Sequence, residues 1–321
     1  HPHDTVRRQR QNVYKRQIDI IAIITTVFGV TTSLGLGTEQ ISAGISHIFL
    51  IEETFFNKII IITVITLIGL ISVSLGLDSG IKKLSQINMI LAITLLSFVF
   101  FFGPTVFILN ALIQNFGAYV NTLIESATWT EVYDDSSWQN GWTLFYYSWW
   151  FAWAPFVSLF IARISYGRSI KEFITGVLFV PSIIVFLWMG IFGNAAIYQV
   201  INETSQIAQV VNSNFDVALF SLFEVYPLTK LISIVSLILI VTFFVTSSDS
   251  GALVASMLSS KNQTNINDDS PILSRATWAI LLGILAGVLL YAGGLQALQT
   301  SVVITGVPFA IIVVFACRKF Y

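Results

Sequence analysis

Two stretches of this 321-residue chain hold side chains whose types and spacing could do chemistry. In the first, Trp149, Trp150 and Trp153 sit inside an apolar run from Trp142 to Ile161. A rise of ~1.5 Å per residue puts Trp150 ~12 Å below Trp142, near the middle of a ~30 Å hydrocarbon layer. Membrane tryptophans ordinarily gather in the interfacial belts, so a group at mid-depth calls for another reason. Offsets of three and four residues bring Trp150 and Trp149 onto faces shared with Trp153, which makes one aromatic wall. Indole faces attract a cation that has no hydrogen-bond donors, and quaternary ammonium compounds are the common example. Bulky packing between helices is the other use for the same rings.

The second stretch is Phe243 to Gly251, FFVTSSDSG, which sets five consecutive polar residues in an otherwise apolar segment. The Phe243 carbonyl and the hydroxyls of Thr246 and Ser247 place three oxygens on one helical face, at i, i+3 and i+4. A hard cation such as Na⁺ takes oxygen ligands of this kind, held near the membrane midplane. Hydroxyls in a membrane helix also bond their own backbone or a neighbouring helix. Asp249 is expected nearer the cytoplasmic end, capped by neighbouring hydroxyls or facing water, with a proton relay as its other use. An intramembrane hydrolase would have to use Ser247 or Ser250 with Asp249, and no histidine lies in that segment to activate either serine.

The elements that must position these groups are membrane helices. The chain is 55% hydrophobic and 10% charged, against about 25% charged residues in soluble domains, so it reads as an all-α integral membrane protein. A net charge of −1 gives no reason to expect a nucleic-acid partner. The single Cys317 excludes an intramolecular disulfide and a cysteine-based metal site, and three histidines leave little for metal chemistry. No signal-peptide pattern opens the chain. Residues 1–17 are basic and polar and read as a disordered tail of separate origin from the membrane domain over 18–321. Hydropathy predicts eight spans: Ile18–Leu36, Ile59–Leu77, Ile87–Leu109, Trp142–Ile161, Ile174–Tyr198, Leu231–Leu258, Ala276–Tyr291 and Leu298–Cys317. The first is expected to continue or re-form as far as Leu50. Asn115–Ser126 reads as a short amphipathic helix on the membrane surface. Gly293-Gly294 marks a tight turn between the last two helices, Pro308 a kink, and Asp78 with Lys82 an i,i+4 surface pair.

Loop charges set the orientation. With the N-terminus inside, fourteen of the sixteen Lys and Arg fall on the cytoplasmic side, leaving only Lys58 and Lys230 outside. Both ends of the chain then lie in the cytoplasm. The loops Asn110–Gly141 and Gln199–Lys230 are external and acidic, and Arg163, Arg168 and Lys171 act as topological anchors.

The tryptophan stretch resembles the betaine/choline/carnitine transporter family, through Trp142-Thr143, Trp149-Trp150, Trp153, Pro155-Phe156-Val157, Arg163-Ile164-Ser165 and Gly167-Arg168. Phe28-Gly29, Ser33 to Gly37, Asn88-Met89 and Phe243 to Gly251 resemble further blocks of that family in the same order. The resemblance covers roughly Ile18 to Cys317. It implies a LeuT-like inverted-repeat core of twelve membrane helices, with this chain beginning at the fifth. It implies secondary active transport of glycine betaine, choline or carnitine across the cell membrane, as an osmoprotective sodium symport by alternating access. Trp149, Trp150, Trp153, Phe156 and Phe160 would meet the substrate. Phe243, Thr246 and Ser247 would hold one Na⁺, and Thr26 with Phe156 part of a second. Val30 stands where that second site wants another threonine, and Glu39 where the family carries an uncharged residue. The resemblance further implies a homotrimer among membrane lipids, with no cofactor beyond the coupling ion. An amino-acid transporter of the same architecture, a sodium-independent exchanger and a passive channel are the competing readings.

Overall fold

A computed structural model describes residues 2–75, 82–134, 136–260 and 270–318, with side chains described outside residues 2–15 and 74–75. Asp78 of the expected Asp78–Lys82 pair, Lys261 and Lys319 lie outside the described residues. Helix α1 runs unbroken over Pro2–Phe49, so the basic segment expected as a disordered tail is a helical extension of the first span. Apolar α2 (Phe55–Leu75) and α3 (Lys82–Phe102) follow. The predicted third span does not continue to Leu109. Gly103 and Pro104 break it, because a proline ring removes one helical hydrogen bond and collides with the preceding turn. The freed Phe100 carbonyl accepts the Thr105 hydroxyl at 2.7 Å instead. A new helix, α4 (Thr105–Thr128), starts there and contains the whole of the expected surface helix.

Helix α5 (Phe145–Ile164) carries the tryptophans and is entered through a π-helical segment, Gln139–Leu144. A short α6 (Ile170–Ile174) begins at Ser169, whose hydroxyl accepts the Glu172 N–H while Glu172 reaches back to the Ser169 N–H. A π-helical turn joins α6 to α7 (Val180–Ile201). Two short helices, α8 (Ile207–Ser213) and α9 (Ala218–Leu222), lead to α10 (Thr229–Ser259). The chain closes with α11 (Ile272–Arg318), and no strand occurs among the described residues.

The expected turn at Gly293-Gly294 is present inside α11. Gly294 has φ +56°, a conformation that favours glycine, and both residues leave helical geometry. Packing gives the directions. Gly283, Gly287 and Tyr291 meet Thr66, Ile59 and Phe55 of α2, whereas Leu298 and Thr305 meet Thr32 and Thr25 of α1. Each half therefore runs antiparallel to its own partner, and α1 and α2 are themselves antiparallel neighbours. The two halves of α11 form a hairpin.

Close approach through small residues sets the packing between helices, as expected where water supplies no drive for association. A Cβ added at Gly306 would overlap the Ser148 carbonyl oxygen of α5, and one at Gly37 would overlap the Phe244 ring of α10. Helix α1 is the hub, touching α2, α5, α10 and α11. We expect Gly306→Ala to lower the thermal midpoint of the purified protein in detergent, an overpacking cost of about 1–3 kcal/mol. Gly117→Ala, where an added Cβ meets nothing, should not lower it.

Candidate functional site

The site is assembled against α1. The indole N–H groups of Trp149 and Trp153 both donate to the Gly29 carbonyl, at 3.3 and 3.2 Å, and Trp149 also reaches the Ser33 hydroxyl at 3.2 Å. With their only donors tied to α1, these rings present their π faces elsewhere. Trp149 and Trp153 stand at 89° with centroids 6.4 Å apart, and Trp153 meets Phe156 edge-on at 5.3 Å. Such edge-to-face pairs satisfy the ring quadrupoles. Tyr146, Trp149, Trp150 and Trp153 line a cavity of about 200 Å³. Tyr146 was not singled out in the sequence, although it lies three and four residues before Trp149 and Trp150.

Trp150 differs from its neighbours. It is 69% exposed, and it also lines a separate cavity of about 760 Å³ together with Leu112, Tyr119 and Met189 from α4 and α7. The aromatic wall is therefore folded: Trp149 and Trp153 lean on α1, and Trp150 forms the open rim. Phe156 is buried and Phe160 is half-buried, one turn further along α5.

On α10 the hydroxyls of Thr246 and Ser247 both donate to the Phe243 carbonyl, at 2.9 and 3.0 Å. The three oxygens thus share a face, as the spacing requires, and are bonded to one another. Asn88 of α3 adds a contact that the sequence reading passed over: its Nδ2 donates to the Thr246 hydroxyl at 3.3 Å. A lone amide in an apolar membrane helix was the signal available. The 200 Å³ cavity is lined by α5 alone and takes no wall from α10, so none of the three oxygens opens into it. Thr26 is buried on α1 with its hydroxyl unpartnered, and Val30 packs against Gly251 of α10.

Two acidic residues depart from expectation. Asp249 does not face water: it is 0% exposed, its Oδ1 lies against Gly69 of α2, and the hydroxyl beside it is that of Ser72 on the same helix. The close α2–α10 approach at that glycine turns the side chain into protein. Glu39 is not an exposed charge at a helix end. It pairs with Lys58 of α2 and is largely buried, since a charge in apolar surroundings must find a partner.

Among the described residues eight helices are long and apolar enough to cross a membrane, α4 included and α11 counted once. That is the construction of a membrane transport protein with its sites between helices. The chain belongs to the BCCT, or betaine/carnitine/choline, family of transporters, whose model matches residues 6–321 and so includes most of the basic N-terminal segment. It is 42% identical over 301 residues to the glycine betaine transporter of Acinetobacter baylyi, covering 94% of this chain and 45% of that protein. It is 42% identical over 299 residues to a glycine betaine/proline/choline transporter of Vibrio parahaemolyticus, covering 93% and 53%. The high-affinity choline transport protein of Escherichia coli is 39% identical over 305 residues, covering 95% and 45%. The chain spans about half the length of the curated relatives it matches.

The acid Asp216, acted on by the charges of Glu39, Glu53 and Lys58, gives the protein a pH signature. It sits in a 3-10 turn, Phe215–Val217, where burial, and then the negative charges of Glu39 and Glu53, push its carboxyl up to about 6, with Lys58 opposing. A raised carboxyl favours the folded protein fully below its ordinary value of 3.8, and that contribution is lost as pH rises through about 6. We expect Asp216→Asn to abolish this fall. The variant's thermal midpoint should exceed that of the wild type at pH 7.5 and match it near pH 4.

Proposed function

We propose that the transporter containing this chain carries trimethylammonium compounds, glycine betaine or choline, by sodium-coupled symport. The observation that carries the reading is the cavity lined by Tyr146, Trp149, Trp150 and Trp153, with two of its indole N–H groups already satisfied by Gly29. What remains for a ligand there is ring face. Ring faces bind a methylated ammonium by cation–π attraction, worth about 0.5–2 kcal/mol per contact, and offer little to a group that needs hydrogen bonds. The relatives described above are named for glycine betaine and choline, and one of them for proline as well. An amino-acid substrate with a primary ammonium would leave the aromatic lining without a purpose.

In this reading Phe243, Thr246 and Ser247 supply one side of the coupling-ion site, and Thr26 with Phe156 contributes to a second. Coupling then requires that sodium favour the conformation that binds substrate well, since an ion with equal affinity for both states shifts nothing. The protein would act as a homotrimer in the cell membrane by alternating access.

We also place both ends of the chain in the cytoplasm. With α4 lying on the outer surface rather than crossing, Lys82, Lys83, Arg163, Arg168 and Lys171 share one side, in keeping with the positive-inside rule. A crossing α4 would separate the two groups.

Uptake of radiolabelled glycine betaine and choline tests the function, in proteoliposomes carrying this chain in its full-length context. Accumulation should require an inward sodium gradient and fall at least ~10-fold in Trp150→Leu, the summed loss of cation–π and packing contacts. Uptake unchanged when potassium replaces sodium would leave the cage and remove the ion assignment. Transport of an amino acid with neither compound accumulated would sink the substrate class. The orientation is checked separately in a Cys317→Ser background. A membrane-impermeant maleimide should label Tyr133→Cys in intact cells and Tyr166→Cys only after permeabilisation, and the reverse pattern would invert the topology.

A further inference from the structure

We propose that Asn88 is a positioning residue for the α10 cation site, taking the Thr246 hydroxyl proton when the ion binds. The proposal rests on the sodium reading of Phe243, Thr246 and Ser247 given above. Its starting point is that the three oxygens, as they stand, are turned inward on one another. Both hydroxyls donate to the Phe243 carbonyl, at 2.9 and 3.0 Å, on top of the Ser247 N–H that this carbonyl accepts within the helix. A cation needs lone pairs and repels hydroxyl hydrogens. For these oxygens to hold one, the Thr246 and Ser247 protons must leave the carbonyl and find acceptors elsewhere.

Ser247 is half-buried, and an acceptor for its proton would have to come from the face it leaves exposed. Thr246 faces α3, and there the acceptor is in place. Asn88 is 3% exposed, its Nδ2 is 3.3 Å from the Thr246 hydroxyl oxygen, and its Oδ1 is buried with no hydrogen-bond partner. An orphaned amide oxygen in an apolar membrane helix costs free energy, so its presence beside the site asks for a use. A half-turn of the amide exchanges Oδ1 and Nδ2 with almost no change in shape. Oδ1 then stands where Nδ2 was and accepts the Thr246 O–H. That releases the Phe243 carbonyl and leaves the Thr246 oxygen with a lone pair toward the ion. The amide thus has two settings, donating to Thr246 in one and accepting from it in the other.

The residue type fits this use. Leucine or alanine would offer no acceptor. An aspartate would accept the proton but would hold a full negative charge in the interior once the ion left, a burial that asparagine avoids.

The test measures sodium dependence of betaine uptake by the full-length transporter in proteoliposomes, together with the betaine KM at saturating sodium. Asn88→Leu should raise the half-saturating sodium concentration about fivefold, the scale of one hydrogen bond, with the betaine KM unchanged. Asn88→Asp, which keeps an acceptor and adds a negative charge beside the ion, should not raise the half-saturating sodium concentration above that of wild type. In a Thr246→Ala background, Asn88→Leu should have no further effect, because the proton it serves is gone. Asn88→Ala carries the same test if the leucine variant does not reach the membrane. Unchanged sodium dependence in both Asn88→Leu and Asn88→Ala would overturn the proposal, as would an aspartate variant impaired as much as leucine. A wild type whose uptake ignores sodium would overturn the ion reading itself, a result distinct from either.

Discussion

The structure depends on how closely α5 can lie against α1 at Gly29. A Cβ added there would stand 3.0 Å from the Ala152 Cβ and 3.1 Å from the Trp153 ring, tighter than ordinary van der Waals contact. That proximity brings the Gly29 carbonyl within reach of two indole N–H groups. In a membrane these bonds matter twice. An indole N–H left unpaired in hydrocarbon is expensive, and tying it to α1 decides which way the ring faces. One backbone carbonyl thereby converts two bulky side chains into a surface made of ring face, and the chemistry of the cavity follows from that orientation.

On the far side of α1 the same economy of space operates with different groups. Val30 fills the notch left by Gly251, and the Phe244 ring lies over Gly37, so α10 is held against α1 along several turns. Its hydroxyl face is thereby presented to α3, away from the tryptophans. Helix α1 thus contacts both the helix of the indoles and the helix of the three oxygens, which also touch each other. A helix in that position can pass a shift on one side to the other, because packed cores rearrange between discrete fits and do not deform continuously.

Much of this was legible in the chain, and the parts that were not share a physical cause. Hydropathy gives the membrane helices because each is a long apolar run, and Gly293-Gly294 announces its turn through residues suited to it. The i, i+3, i+4 spacing correctly places Phe243, Thr246 and Ser247 on one face, since that depends only on helix geometry. Pro104 was a visible breaker, but the apolar run on both sides of it hid the start of α4. Partners distant in sequence left no local trace: Glu39 pairs with Lys58, and Asp249 faces Gly69. The direction of Trp150, splayed to the rim while Trp149 and Trp153 turn inward, is set by α1 and cannot be read from α5 alone.

The separation of the indoles from the three oxygens bears on how they can communicate. The indole cavity has no wall from α10, so a ligand there cannot touch the three oxygens directly. Two packed routes join them: α1, which touches both helices, and the direct contact of α5 with α10. Two features make α1 suited to the task. Gly29 receives the tryptophans on one face, while the adjacent Val30 seats against Gly251 on the other, within a single turn. A change in α5 that loosens the Gly29 bonds would therefore be felt at Gly251, next to the polar run on α10. The buried hydroxyls of Thr26 and Thr31, which make no hydrogen bonds, fall on α1 on either side of that contact. They are groups whose needs are unmet in this arrangement, and any shift of α1 that gave them partners would recover the cost of leaving them bare.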